Sequence, residues 1–186
     1  MKNIQIYPFV KPEHVTDLSI IDMHTFQRLP TESEVERALK SPWMFNVITY
    51  QRSGEERAVG YSMAIPLKRI AAEALQQGRM HESEINQSHL AQSFSSASGT
   101  YLAAVTSSFR HLPQKPSRIE QTAIRGRLIG LSLGQFIRNS NPVFAIAISP
   151  EGISTVREFY GFKEEPYSGP MEGIKNCKPS LFVKLF

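Results

Sequence analysis

The run Thr100-Tyr101-Leu102-Ala103-Ala104-Val105-Thr106, the proline-bearing loop after it (Pro113, Pro116), the segment from about Ile119 to Ile137, and Val143-Phe144-Ala145-Ile146-Ala147-Ile148 decide the fold. The first run is rich in strand-forming residues. The second segment carries its apolar residues at helical spacing. The third is continuously apolar, as a strand covered on both faces must be. Beyond it, Ser149-Pro150 caps a helix running through Val156 and Phe159, Gly161 closes that helix, and Ser180 to Phe186 supplies a last strand.

Working back from Thr100, residues 79–99 form a polar, serine-dominated surface insertion. It follows a short helix marked by Ile70, Ala71, Ala74 and Leu75 and ended by Gly78. Met44–Tyr50 and Ala58–Ile65 are β-rich runs around Arg52-Ser53-Gly54-Glu55, the composition of a hairpin. Thr31-Glu32-Ser33-Glu34 is a capping box whose hydroxyl and carboxylate satisfy orphan amides, and the helix it opens stops before Pro42. Ile4 to Val10 alternates as a strand, and Lys11-Pro12 starts a helix with Val15, Leu18 and Ile21 on one face.

The chain has 186 residues, 41% hydrophobic and 20% charged, which predicts one globular domain rather than a disordered or repeat protein. Cys177 is the only cysteine, so no internal disulfide or cysteine-built zinc site forms, and its expected role is a small apolar filler. No apolar run approaches the roughly 20 residues of a membrane span, and the expectation is a soluble cytoplasmic protein. The net charge of +4 favours anionic partners. Lys and Arg are spread along the chain, with Arg118, Arg125 and Arg127 the densest cluster, so a dedicated nucleic-acid surface is the less favoured reading.

Three local words, Tyr101 to Thr106, Arg125-Gly126-Arg127-Leu128-Ile129-Gly130 and Glu158-Phe159-Tyr160-Gly161-Phe162, together with the element order, resemble the GNAT superfamily of acyl-coenzyme A dependent N-acyltransferases. The resemblance implies a mixed α/β (α+β) fold, with a mostly antiparallel sheet flanked by helices and splayed between the fourth and fifth strands. It implies acetyl-CoA as co-substrate and an amine-bearing acceptor; no membrane partner is expected from the apolar runs, and a homodimer is possible. Val105 and Thr106 fall where the splayed strand pairs with the pantetheine arm, a use of an open strand edge. The family's phosphate loop matches imperfectly. Either Arg125 to Gly130 is the loop, with Leu128 where glycine is expected, or the loop is Lys115-Pro116-Ser117-Arg118 and the helix begins there.

In the second register Gly126, Gly130 and Gly134 form a stripe along one helix face, open either to close packing on the sheet or to cofactor approach. Arg118 and Arg125 are the candidate phosphate partners. Tyr160 is the candidate acid for the leaving thiolate, displaced from the family's usual tyrosine position, which Arg157 occupies; its alternative role is aromatic packing. His81, Glu82, Glu84 and His89 in the insertion are undistinguished candidates for a general base, and His111 reads as an exposed loop residue. The rival readings are a non-catalytic GNAT-like module and a basic nucleic-acid-binding domain.

Overall fold

In the computed structural model, residues 3–80, 82–137, 141–147, 150–166 and 180–184 are described. The elements run β1 (Ile4–Tyr7), α1 (Val15–Phe26), α2 (Glu32–Lys40), β2 (Phe45–Arg52), β3 (Glu55–Leu67), α3 (Arg69–Gln76), β4 (Gly99–Ser107), α4 (Arg118–Ile137), β5 (Val143–Ala147), α5 (Pro150–Ser154), β6 (Lys163–Glu165) and β7 (Ser180–Lys184). A π-helical turn, Thr155–Phe159, extends α5. The strands form one sheet in the order β1-β2-β3-β4-β5-β7-β6. Neighbours are antiparallel at β1/β2, β2/β3, β5/β7 and β6/β7, and parallel at β4/β5. This is the mixed, mostly antiparallel α/β sheet with flanking helices that the sequence leads one to expect.

Most elements lie where the residue pattern puts them. The first strand ends earlier than expected, at Tyr7, because Pro8 has no amide to give to the ladder. β6 is an addition: Lys163, Glu164 and Glu165 are all exposed, so no apolar alternation announces the strand. His111 also departs from expectation. It is half-buried, its Nε2 lies 2.9 Å from the Ala58 carbonyl, and its Nδ1 is buried without a partner. Burial lowers its pKa, the Ala58 bond opposing. Ser149, Cys177 and His81 lie outside the described residues.

The chain divides into two compact units. The first, Met1–Met63 with Ala104–Ser132, is built around Ile48, Tyr50, Val59, Phe109, Leu112, Ile124 and Leu128. Ile124 and Leu128 are one helical turn apart, so α4 lays that face on β2 and β3. Helix and sheet come close at Gly60: a Cβ there would stand 2.6 Å from Leu128 Cδ1 and 2.8 Å from the Thr106 carbonyl oxygen. Across the sheet, Asp17 is 7% exposed at its side chain, takes a guanidinium fork from Arg57 and accepts the Ala58 amide at 2.8 Å. At α2, Glu34 receives both Arg28 Nη groups at 2.8 Å and the Thr31 amide at 2.7 Å. Burial alone would raise the Glu34 carboxyl, but these donors hold it at about 2.

The second unit is Ala64–Ala103 with Leu133–Phe186. Tyr101, Phe144 and Phe182 are fully buried in it, and Gly99 lets Phe144 and Ala72 close to within 3 Å of where a Cβ would stand. The serine-rich insertion is three single 3-10 turns tied down at intervals. Ala91 N–H donates to the Pro66 carbonyl, Ser98 N–H to that of Leu67, and the Tyr101 hydroxyl to Glu82 at 2.8 Å.

Gly60→Ala and Gly134→Ala test this packing. The first forces Leu128 or the β4 backbone aside and should lower unfolding free energy by about 1–3 kcal/mol. The second meets nothing within 4 Å and should raise it by roughly 0.5–1 kcal/mol through helix propensity, both read from urea transitions.

Candidate functional site

β4 pairs with β5 at Thr100↔Val143 and Tyr101↔Phe144 only, although β4 runs on to Ser107 and β5 to Ala147. The splay between fourth and fifth strands is therefore present. Its exposure follows the pairing: Gly99 to Leu102 are buried, whereas Ala103, Ala104 and Val105 are half-buried. The two ends of β4 are held from opposite edges. Ser108 N–H donates to the Val59 carbonyl on β3, and the Thr106 carbonyl also faces β3 at Gly60. Thr100 N–H, by contrast, donates to the Pro142 carbonyl just before β5, so simple alternation breaks along β4 between Thr100 and Ser108, the stretch that contains Val105. The Thr106 backbone is turned to β3, and its buried hydroxyl shares a 2.8 Å bond with Thr25 of α1.

The stretch Arg125–Gly130 is helical throughout, so of the two registers the helix begins at Arg118. The α4 N-terminus is closed by a capping box: Ser117 N–H and hydroxyl both reach Glu120 Oε2 at 2.8 Å, and Glu120 N–H returns to the Ser117 hydroxyl. Those donors, the Ser117 amide first, hold the Glu120 carboxyl below its ordinary value. Arg118 and Arg125 are exposed, and the Arg125 guanidinium lies 5.8 Å from the Phe109 ring centre. Gly126, Gly130 and Gly134 face open space, where an added Cβ meets nothing within 4 Å, so helix-on-sheet packing is not their reason. Tyr160 is 1% exposed, edge-on to Phe162 at 6.0 Å, with its carbonyl accepting from Lys184 Nζ at 2.6 Å.

A second polar group gathers on the α1 side of β3 and β4, and sequence reasoning missed it. Asp22, His24 and Thr25 of α1 each hold a strand or loop residue. Asp22 Oδ1 accepts from the Tyr61 hydroxyl at 2.5 Å, and His24 Nδ1 lies 3.0 Å from the Ser108 hydroxyl. Burial pushes the Asp22 carboxyl up to about 6, against the opposing pulls of Tyr61 and Arg28. A strongly perturbed carboxyl in such a setting is a functional-site signal. The sequence trace was there: Asp22 and Thr25 sit four residues after Leu18 and Ile21, extending the buried stripe of α1 with polar groups. Among the described residues, no cluster of His, Cys, Asp and Glu could hold a metal ion, and no helix is long and apolar enough to cross a membrane.

No family model matches the chain, and no curated protein matches it in sequence. Solved structures do match its shape. Arabidopsis thaliana Naa50, in complex with a bisubstrate analogue CoA-Ac-MVNAL, superposes with a TM-score of 0.61 at 12% identity, over 99% of both chains. The loading GNATL domain of CurA from Lyngbya majuscula gives 0.60 at 14% identity over 98% of this chain and 97% of that one. Ard1 from Thermoplasma volcanium gives 0.58 at 13%, over 98% and 97%. The chain therefore has the GNAT fold, and at these identities the likeness is one of fold.

The Asp22 carboxyl makes stability depend on pH. Its folded pKa is raised, so the penalty for its charge is absent below about pH 4 and complete above about pH 6. Asp22→Asn keeps an acceptor for Tyr61 and removes the charge. Its stability gain should grow across that window to roughly 3 kcal/mol at most and then level off, as measured by urea unfolding at successive pH values.

Proposed function

We propose that the chain is an N-acyltransferase that moves an acetyl group from acetyl-CoA to a primary amine. The observation that supports this most is that β4 pairs with β5 at Thr100 and Tyr101 only, while Ala103, Ala104 and Val105 beyond them are half-buried. An extended arm carrying amides can complete such an edge as an added strand would. Within this reading Val105 N–H faces the thioester oxygen as charge develops there. Arg118 and Arg125 supply cations for the diphosphate, and the open face at Gly126 and Gly130 gives it room. Bound acetyl-CoA supplies the activated acyl carbon and the leaving thiolate. The residues of this chain orient the arm, polarise the carbonyl and exclude water on the sheet side. The depth and edge-on packing of Tyr160 favour its packing role over that of an acid. A single cytoplasmic domain is part of the reading.

One observation favours a second reading, a GNAT-like module without turnover: the Glu120 carboxylate is folded onto the start of α4, where a diphosphate would be expected. Calorimetric titration with acetyl-CoA followed by a thiol-release assay on mixed amines separates the two. The acyltransferase reading expects binding and thiol release, and binding without release on any amine supports the module.

Gly130→Glu puts a carboxylate on the open helix face without steric cost. It is expected to leave folding intact and to weaken acetyl-CoA binding at least tenfold. Unchanged affinity would remove that face from the site. Tyr160→Phe should leave thiol-release turnover within a factor of two.

A further inference from the structure

We propose that His111 is a proton-operated latch: uncharged, it fastens the turn 109–112 to β3 at Ala58, and a second proton on its ring releases that turn. The latch lies wholly within the first compact unit and does not depend on acyl transfer. It starts from an irregularity in β3. Ile48 of β2 stands opposite Gly60 and Thr49 opposite Ala58, so Val59 has no opposite residue on β2. Side chains from outside the sheet serve Ala58 at this bulge. Asp17 accepts its amide at 2.8 Å, and His111 Nε2 meets its carbonyl at 2.9 Å. A carbonyl only accepts, so Nε2 carries the ring proton and Nδ1 is a bare lone pair. That Nδ1 is buried without a partner. A proton added there would be a buried donor with no acceptor, and it would bring a charge with it.

The turn held in this way belongs to the core. Phe109 and Leu112 are buried in the cluster with Ile48, Tyr50 and Val59, and Leu112 N–H closes onto the Phe109 carbonyl at 3.4 Å. Arg110, between them, is exposed. The titratable and charged groups that face the His111 ring come from α1 and β3. The His24 ring centre of α1 lies 6.3 Å away, and a charge on it opposes a second one on His111. Arg57, next to Ala58 on β3, opposes it too. Asp17 of α1 favours it, but that carboxylate is already engaged by Arg57 and the Ala58 amide. Burial has the largest influence and lowers the ring pKa while the turn is closed. With the turn open the ring returns to its ordinary value near 6.5. The open form therefore binds the proton more readily, so closure is at full strength above about pH 6.5 and weakens as pH falls below it.

The test is amide hydrogen exchange of the full chain by NMR from about pH 7.5 to about pH 5, each rate divided by its intrinsic rate at that pH. Leu112 reads the turn, and Ile48 in the middle of β2 is the reference. The expected result is that Leu112 protection falls at least threefold relative to Ile48 across this range. His111→Gln keeps an N–H donor for the Ala58 carbonyl and does not titrate, so its Leu112 protection should stay level. Ring nitrogen shifts of the wild type at about pH 7.5 should show Nε2 protonated and Nδ1 bare. Leu112 protection that is independent of pH in the wild type, or that falls equally in His111→Gln, overturns the latch. A wild-type ring carrying its proton on Nδ1 overturns it as well, and that reading needs no variant to fold.

Discussion

Every buried backbone amide and carbonyl needs a partner, and the construction of this protein follows from one place where the sheet does not supply it. β4 and β5 pair at two positions, Thr100↔Val143 and Tyr101↔Phe144, and β3 lies along the other edge of β4. Strands that emerge parallel on either side of a helix commonly stay together, so an early parting has to be held in place by something else. On one face Val105 packs against the cluster that contains Ile124 and Leu128 of α4, and Gly60 lets that helix come close to β3. On the other face α1 is fastened to β3 and β4 by Asp22, His24 and Thr25. The second half of β4 is thereby fixed by packing from both faces and by β3 at one edge, without β5.

That arrangement also explains the distribution of polarity. Core helices seldom carry two aspartates toward a sheet, because each buried charge needs compensation. In α1, Asp17 has it in full from Arg57 and the Ala58 amide. Asp22 has only one neutral donor in Tyr61, and its carboxyl is raised accordingly. Two carboxylates five residues apart on one helix thus differ: the first clamps β3 through Arg57, and the second is raised by burial with Tyr61 as its donor.

Much of the architecture was legible in the residues. The capping box at Thr31 and Glu34, the turn at Ser53-Gly54, where both residues adopt positive φ, and the αL glycine at Gly161 are local chemistry that tertiary context did not override. Val105 and Thr106 were singled out through resemblance and not through any pattern of their own. What pattern could not reveal was that β4 pairs with β5 at Thr100 and Tyr101 only, since this depends on residues far apart in the chain. Nor could it reveal that the glycines of α4 face outward while Gly60, unremarked in its strand, is the one that meets the helix. Asp22 escaped notice because a carboxylate at helical spacing behind leucine reads as an interruption of the stripe; only the Tyr61 hydroxyl, 39 positions away, gives it meaning.

The most direct measurement is amide hydrogen exchange by NMR at Val105 and Tyr101, with and without acetyl-CoA. The account predicts slow exchange at Tyr101 in both states, and fast exchange at Val105 that slows at least tenfold when acetyl-CoA is added. A Val105 amide already as protected as that of Tyr101, and indifferent to acetyl-CoA, would contradict it.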